Sequence, residues 1–152
     1  MTAVLIEYEP GYAADFKRLN LEWLDKFGLT EPADLAMLDN PQKEILDTGG
    51  CLYLAKVGDE IVGSAALIYE GNGNFELAKM AVAPSFQGRG ISKLLIEKCL
   101  RQAKLLAAKR VYLVSSSQLK TALLLYHQYG FRHVPLTNSH YHSADVMMEL
   151  DM

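Results

Sequence analysis

The order of strand and helix signals in this chain predicts an α+β (mixed α/β) fold, a mixed, mostly antiparallel sheet flanked by helices. Three observations predict it. The period-2 segments 51–57, 60–69 and 75–82 follow one another with only glycine-bearing turns between them, the pattern of an antiparallel meander. Segments with apolar residues at helical spacing stand before and after that meander, and a further strand and hairpin follow. With 152 residues, 50% hydrophobic and 22% charged, the chain has the size and balance of one soluble domain with a sizeable core.

Residues 3–9 alternate and read as the first strand. Gly11 to Phe27 reads as a helix with Phe16, Leu19, Trp23 and Leu24 on one face. A shorter helical region covers about 32–47, is interrupted at Asn40-Pro41 and ends at Gly49-Gly50. The strands 51–57 and 60–69 join at Gly58-Asp59, and Gly71-Asn72-Gly73-Asn74 turns the chain into strand 75–82. The helix from about 89 to 108 places Ile91, Leu94, Leu95, Cys99, Ala103 and Leu106 on one face. Strand 110–115, a serine-rich connection and a helix from about 118 to 129 come next, with Gly130 as its C′ residue. Residues 131–134 open the last hairpin and 143–150 return as its partner.

Composition excludes several classes. No apolar run approaches the ~20 residues of a membrane-spanning helix, and the first ten residues lack the basic-then-apolar pattern of a secretory signal. Cys51 and Cys99 are too few for a disulfide framework or a zinc site and read as reduced core residues. These features are those of a cytoplasmic protein without membrane partners. The net charge of −3 and the lack of an aromatic-interleaved basic strip argue against nucleic acid. The charge is uneven, however. Residues 1–50 hold ten acids and four bases, whereas 88–110 hold seven bases against Glu97. An anion site in the second region and a cation-friendly surface in the first would account for that asymmetry, as would two solvated helix faces.

The anion reading gains weight from Gln87-Gly88-Arg89-Gly90-Ile91-Ser92, where glycines expose backbone N–H groups at a helix N-terminus. A Walker loop is absent, because no GxxxxGK run followed by Ser or Thr occurs. A dinucleotide fingerprint also fails: Lys93 stands where the third glycine belongs, and a proline loop separates the turn from its strand. The pattern that fits is Gln/Arg-x-x-Gly-x-Gly/Ala, met by Gln87 and Gly90 with the small Ser92 in the last place. Val82-Ala83-Pro84 precedes it, and Ala122, Tyr126, Gly130 and Phe131 supply a later A-x-x-x-Y-x-x-x-G-F. In these features the chain resembles the GNAT superfamily of acyl-CoA N-acyltransferases over about residues 51–150. Asn20-Leu21-Glu22-Trp23 and Gly49-Gly50 are similar to an uncharacterised bacterial-type group of that superfamily. Leu119 departs from it, standing where many members carry Asn.

The resemblance implies acetyl-CoA as cosubstrate, no metal, and direct acetyl transfer to a primary amine in a ternary complex. Such a reaction needs a base, since an alkylammonium of pKa ~10 cannot attack; a donor for the oxyanion; and a proton near the departing thiolate. Glu76 is the candidate base, because alternation sets it on one strand face with Ala78, Met80 and Val82, where desolvation would raise its pKa. Tyr126, at the motif position of the family tyrosine, is the implied general acid. The resemblance further implies a bulge that splays this strand from the next and frees backbone groups of Met80 and Val82. It has Gln87, Gly88, Arg89, Gly90, Ile91 and Ser92 wrap the pyrophosphate, with a charge from Arg89 or Lys93. The alternative is a non-catalytic acyl-CoA-binding or sensing domain on the same scaffold; the family also allows a homodimer.

Weaker signals remain. His140 and His142 share a strand face, but only Asp145 is near as a third ligand, so a surface pair is expected. The serines 115–117 are no nucleophile elbow, since GxSxG is absent. The resemblance implies a small-molecule or peptide amine as the acceptor. The acids of 1–50 point to a cationic one such as a polyamine, an amino-sugar antibiotic or a lysine side chain, and Trp23, Tyr69, His140 and Tyr141 are candidate pocket residues.

Overall fold

The structure, a computed structural model, describes residues 2–137 and 142–152. The chain runs β1 (Val4–Glu7), a 3-10 turn (Pro10–Tyr12), α1 (Ala13–Lys26), α2 (Pro32–Asp39), a short π-helix (Gln42–Leu46), then β2 (Cys51–Val57), β3 (Glu60–Tyr69) and β4 (Asn74–Val82). A 3-10 turn (Pro84–Phe86), α3 (Ile91–Leu105), β5 (Arg110–Ser115), α4 (Lys120–Gln128), β6 (Arg132–Val134) and β7 (Val146–Asp151) complete it. The strands form a seven-stranded sheet in the order β1-β2-β3-β4-β5-β7-β6. Every neighbouring pair is antiparallel except β4 and β5.

Local chemistry sets the boundaries. α1 buries the stripe Phe16, Leu19, Asn20 and Leu24. α2 starts with Pro32 and a capping box in which the Glu31 N–H donates to Asp34 Oδ2 at 3.0 Å. It ends at Asn40 because a residue before proline disfavours helical backbone. Gly50 is needed sterically: a Cβ there would lie 2.3 Å from the Leu67 carbonyl oxygen and 2.7 Å from that of Ile45. α3 starts two residues later than periodicity suggests, since Gly90 caps it in the left-handed region at φ 79°. It closes early because Ala107 turns left-handed at φ 57°.

Two irregularities of β4 shape the molecule. The first is a bulge: Ala66 pairs with Ala78 and Ser64 with Ala81, so Lys79 and Met80 together oppose one residue of β3. Lys79 takes φ 53° to allow it. The extra residue shifts the phase of the strand. Glu76, Ala78 and Ala81 lie opposite Ile68, Ala66 and Ser64 and share their face, while Val82 lies opposite Gly63 on the other. Strict alternation across Glu76, Ala78, Met80 and Val82 is therefore corrected: Val82 does not share the face of Glu76.

The two faces carry different helices. On the Glu76 face, Asn20 Nδ2 of α1 donates to Ser64 Oγ at 3.1 Å, and Ser64 Oγ donates to the Lys79 carbonyl at 2.7 Å. On the Val82 face, a Cβ at Gly63 would meet Leu95 and Ile91 of α3 at 3.1 and 3.2 Å. The core fills both interfaces, with Phe16, Leu54, Leu67, Leu95, Ile96 and Met148 fully buried. The second irregularity is the end of pairing. β4 and β5 pair only through Asn74, Phe75 and Glu76 opposite Arg110, Val111 and Tyr112. Beyond Glu76 they diverge, and among the described residues no strand pairs with the β5-facing edge of β4 from Leu77 to Val82.

Candidate active site

The divergence of β4 and β5 opens a cavity of about 710 Å³. Of the ten residues singled out from sequence, nine line it: Glu76, Tyr126, Met80, Val82, Gln87, Gly88, Gly90, Ile91 and Ser92. Arg89 does not; its guanidinium lies 4.9 Å from the Phe86 ring centroid, a cation–π contact, and Lys93 lines the cavity in its place.

The loop wall is made of backbone. Gly88 and Gly90 adopt φ 77° and 79°, and nothing stands within 4 Å of a Cβ built on either. No side chain caps α3, so the first N–H groups of the helix point toward the loop with the positive end of its dipole. The Gln87 side chain stiffens the loop by donating from Nε2 to the Val82 carbonyl at 3.2 Å.

Glu76 sits at the apex, the last residue of β4 paired to β5. It is 6% exposed. Burial, followed by the negative charge of Glu70, raises its carboxyl from 4.5 to about 7; Lys79 counteracts this and Asp34 adds to it. Tyr126 is half-buried on α4, its ring packed edge-on against Phe131 with centroids 6.0 Å apart. Burial pushes its phenol up to about 12, so it stays protonated at neutral pH.

Sequence reasoning missed a second wall made of side chains. Asp34 and Lys79, 45 residues apart, form a buried ion pair that lines the cavity, with side chains 3% and 5% exposed. A lysine amid the apolar run of β4 was the available signal. Asp34 is held by the Glu31 N–H, while the Glu31 carboxylate accepts from the N–H groups of His142 and Ser143 at 2.8 and 2.9 Å and from the Ser143 hydroxyl. Those bonds hold the Glu31 carboxyl below its usual range.

Of the aromatics, Trp23 lines the cavity, whereas Tyr69 packs on Phe75 at 5.1 Å and does not. His140 and Tyr141 lie outside the described residues. Among the described residues, no three His, Cys, Asp or Glu side chains come together as a metal site. Of the ten acids in residues 1–50, Asp34 alone lines the cavity.

A family model decides what this arrangement belongs to. The acetyltransferase (GNAT) family model matches residues 16–131. The chain belongs to the acetyltransferase (GNAT) family. It is 27% identical over 141 residues to the uncharacterized N-acetyltransferase YjgM of Escherichia coli, an alignment covering 88% of this chain and 82% of that one. Its fold matches a GNAT acetyltransferase from Staphylococcus aureus with a TM-score of 0.92 at 23% identity over 99% of both chains. It also matches the PaiA N-acetyltransferase of Thermoplasma acidophilum, solved in complex with coenzyme A, with a TM-score of 0.77 at 14% identity over 100% of both. The protein is thus an acetyltransferase with the mixed, mostly antiparallel sheet of its family.

Proposed function

We propose that this GNAT protein transfers an acetyl group from acetyl-CoA to a primary amine of a small molecule or a lysine side chain, by direct attack in a ternary complex. One observation carries the reading. A single cavity joins the N-terminus of α3, which begins at Gly90 without a side-chain cap, to a buried carboxyl at the point where two parallel strands part.

The residues fit acetyl-CoA. The open space at Gly88 and Gly90 admits a pyrophosphate close to the free N–H groups of α3, and Lys93 adds a positive charge. The unpartnered edge of β4 around Met80 and Val82 offers backbone groups to an amide-bearing arm. Bound acetyl-CoA supplies the activated acyl carbon and a thiolate leaving group.

The chain's residues then supply proton control. Above pH 7 Glu76 is ionised and accepts a proton from the acceptor ammonium, directly or through a water. A pKa near 7 against ~10 makes that transfer uphill by ~4 kcal/mol, so a small population of neutral amine forms and its attack on the acyl carbon draws the proton transfer forward. Tyr126 keeps its proton at Oη, because a phenol near 12 lies well above a thiol at ~8.5. It acts as a hydrogen-bond donor to the departing sulfur. The buried floor of Asp34, Glu76 and Lys79 limits the water that could compete with the amine.

The test mixes protein, acetyl-CoA and an amine panel while following free thiol. Amine-dependent release that falls sharply in Glu76→Gln and Tyr126→Phe supports the reading. Tight acetyl-CoA binding with no amine-dependent release across the panel contradicts it and favours a sensing domain.

A further inference from the structure

Resting on that reading, we propose that the acceptor is a monoamine carried on an apolar body, with no second charge. The inference comes from counting the charges that face the acceptor. Among the described residues, the charged side chains lining the cavity are Asp34, Glu76, Lys79, Lys93 and Lys120. Lys93 and Lys120 stand on the first turns of α3 and α4; α3 packs on Gly63, on the face opposite Glu76 and α1, and Tyr129 at the end of α4 donates from Oη to Glu97 of α3 at 2.9 Å. Asp34 and Lys79 pair with each other in a buried site and cancel. Among the described residues, Glu76 is then the one charge left to match an acceptor, and its partner is the reacting amine.

The remaining wall of this arm is apolar. Asn20 fixes α1 against the β4 bulge through Ser64, and Trp23 and Phe27 follow at three and seven residues along the same helical stripe. Leu24 and Leu29 complete the wall. Trp23 spends its Nε1 proton on Asn20 Oδ1 at 3.4 Å, which leaves its ring as an apolar surface. Phe27 is 37% exposed although it lines the cavity, so its ring is available for contact. A second ammonium or a carboxylate on the acceptor would be desolvated here with no counter-charge among the described residues that line the cavity. An alkyl or aryl body would instead cover these rings.

The test uses acceptors of one length that differ only at the far end: hexylamine, 1,6-diaminohexane and 6-aminohexanoate. With acetyl-CoA present, kcat/KM for hexylamine exceeds both others by at least about tenfold, the cost of one unpaired buried charge. Trp23, the chain's one tryptophan, gives a readout free of turnover. With coenzyme A bound, hexylamine shifts its fluorescence at concentrations where 1,6-diaminohexane does not. Phe27→Glu, at a position exposed enough to keep the fold, narrows the hexylamine preference over the diamine about tenfold. Equal or better turnover of the diamine by the unaltered protein overturns this inference while leaving amine acetylation standing. A preference unchanged by Phe27→Glu also overturns it. Absence of thiol release with all three and with lysine peptides overturns both it and the proposed function.

Discussion

The two walls of the cavity are built from different materials. The loop wall, from Gln87 to Ser92, presents exposed backbone, positive-φ glycines and a helix dipole. The opposite wall, from α1, α2 and the β4 bulge, presents buried side chains: an apolar stripe, an ion pair and a carboxyl raised to about 7. Backbone recognition tolerates change in most side chains as long as the glycines remain. Side-chain recognition changes its ligand with each substitution. The contrast separates a wall whose shape rests on backbone from one whose chemistry rests on particular side chains.

The first way to break this contrast is at the ion pair. Asp34→Asn removes the carboxylate of the buried Asp34–Lys79 ion pair and lowers stability by about 3–5 kcal/mol, read from denaturant midpoints. Replacing both partners together, Asp34→Leu with Lys79→Met, restores most of that loss. A single variant as stable as the parent would show that the side-chain wall does not depend on the pair.

Next comes chemistry at the apex. Glu76→Gln lowers kcat by about 10²–10³, and Tyr126→Phe lowers it by a smaller factor of about 10–10², in thiol-release assays. Lys79 and Glu76 are electrostatically linked, so Lys79→Met, made with Asp34→Leu, tests the coupling further. Loss of the lysine charge raises the Glu76 pKa and loss of the aspartate lowers it, and the lysine effect is the larger. The acid limb of activity in the double variant therefore moves to higher pH.

The loop wall gives a smaller and cleaner effect. Gly90→Ala strains the left-handed cap at a cost of roughly 1 kcal/mol and puts a Cβ into the open space beside the helix N-terminus. It raises KM for acetyl-CoA about fivefold to tenfold and leaves KM for the amine unchanged. A matching rise in the amine KM would blur the division between the walls.

The last effect concerns stability against pH. The folded-state pKa of Glu76 is raised, so its contribution to stability is full below 4.5 and is lost as pH rises through about 7. Above 7 the native state holds a desolvated charge that Gln would not. Glu76→Gln is therefore more stable than the parent above pH 7, by about 1–3 kcal/mol, and gains nothing below 4.5.

Sequence revealed the loop wall well and the side-chain wall poorly, for physical reasons. The hairpin of β2 and β3 and the strand β5 fall where the pattern placed them, because Gly58 and the period-2 alternation are local signals. Helix α3 was misjudged only at its ends, where the left-handed Gly90 and Ala107 cut the periodic run short. The bulge follows from the family resemblance but not from the residues themselves, because Lys79, which carries it, lacks the usual preference for positive φ. Its consequence, the transfer of Val82 to the α3 face, could not follow from alternation. The Asp34–Lys79 pair joins two segments 45 residues apart, and nothing near either residue announces the other. Ten acids in the first fifty residues suggested a cationic acceptor, but folding brings one of them to the cavity and pairs it.

The most direct test of the central claim is the pH dependence of kcat/KM for amine acetylation in the parent and in Glu76→Gln. A buried carboxyl acting as base at the strand divergence predicts an acid limb with its midpoint near pH 7 in the parent, absent from the much slower variant. A limb that persists unchanged in Glu76→Gln, with turnover near that of the parent, would contradict the account.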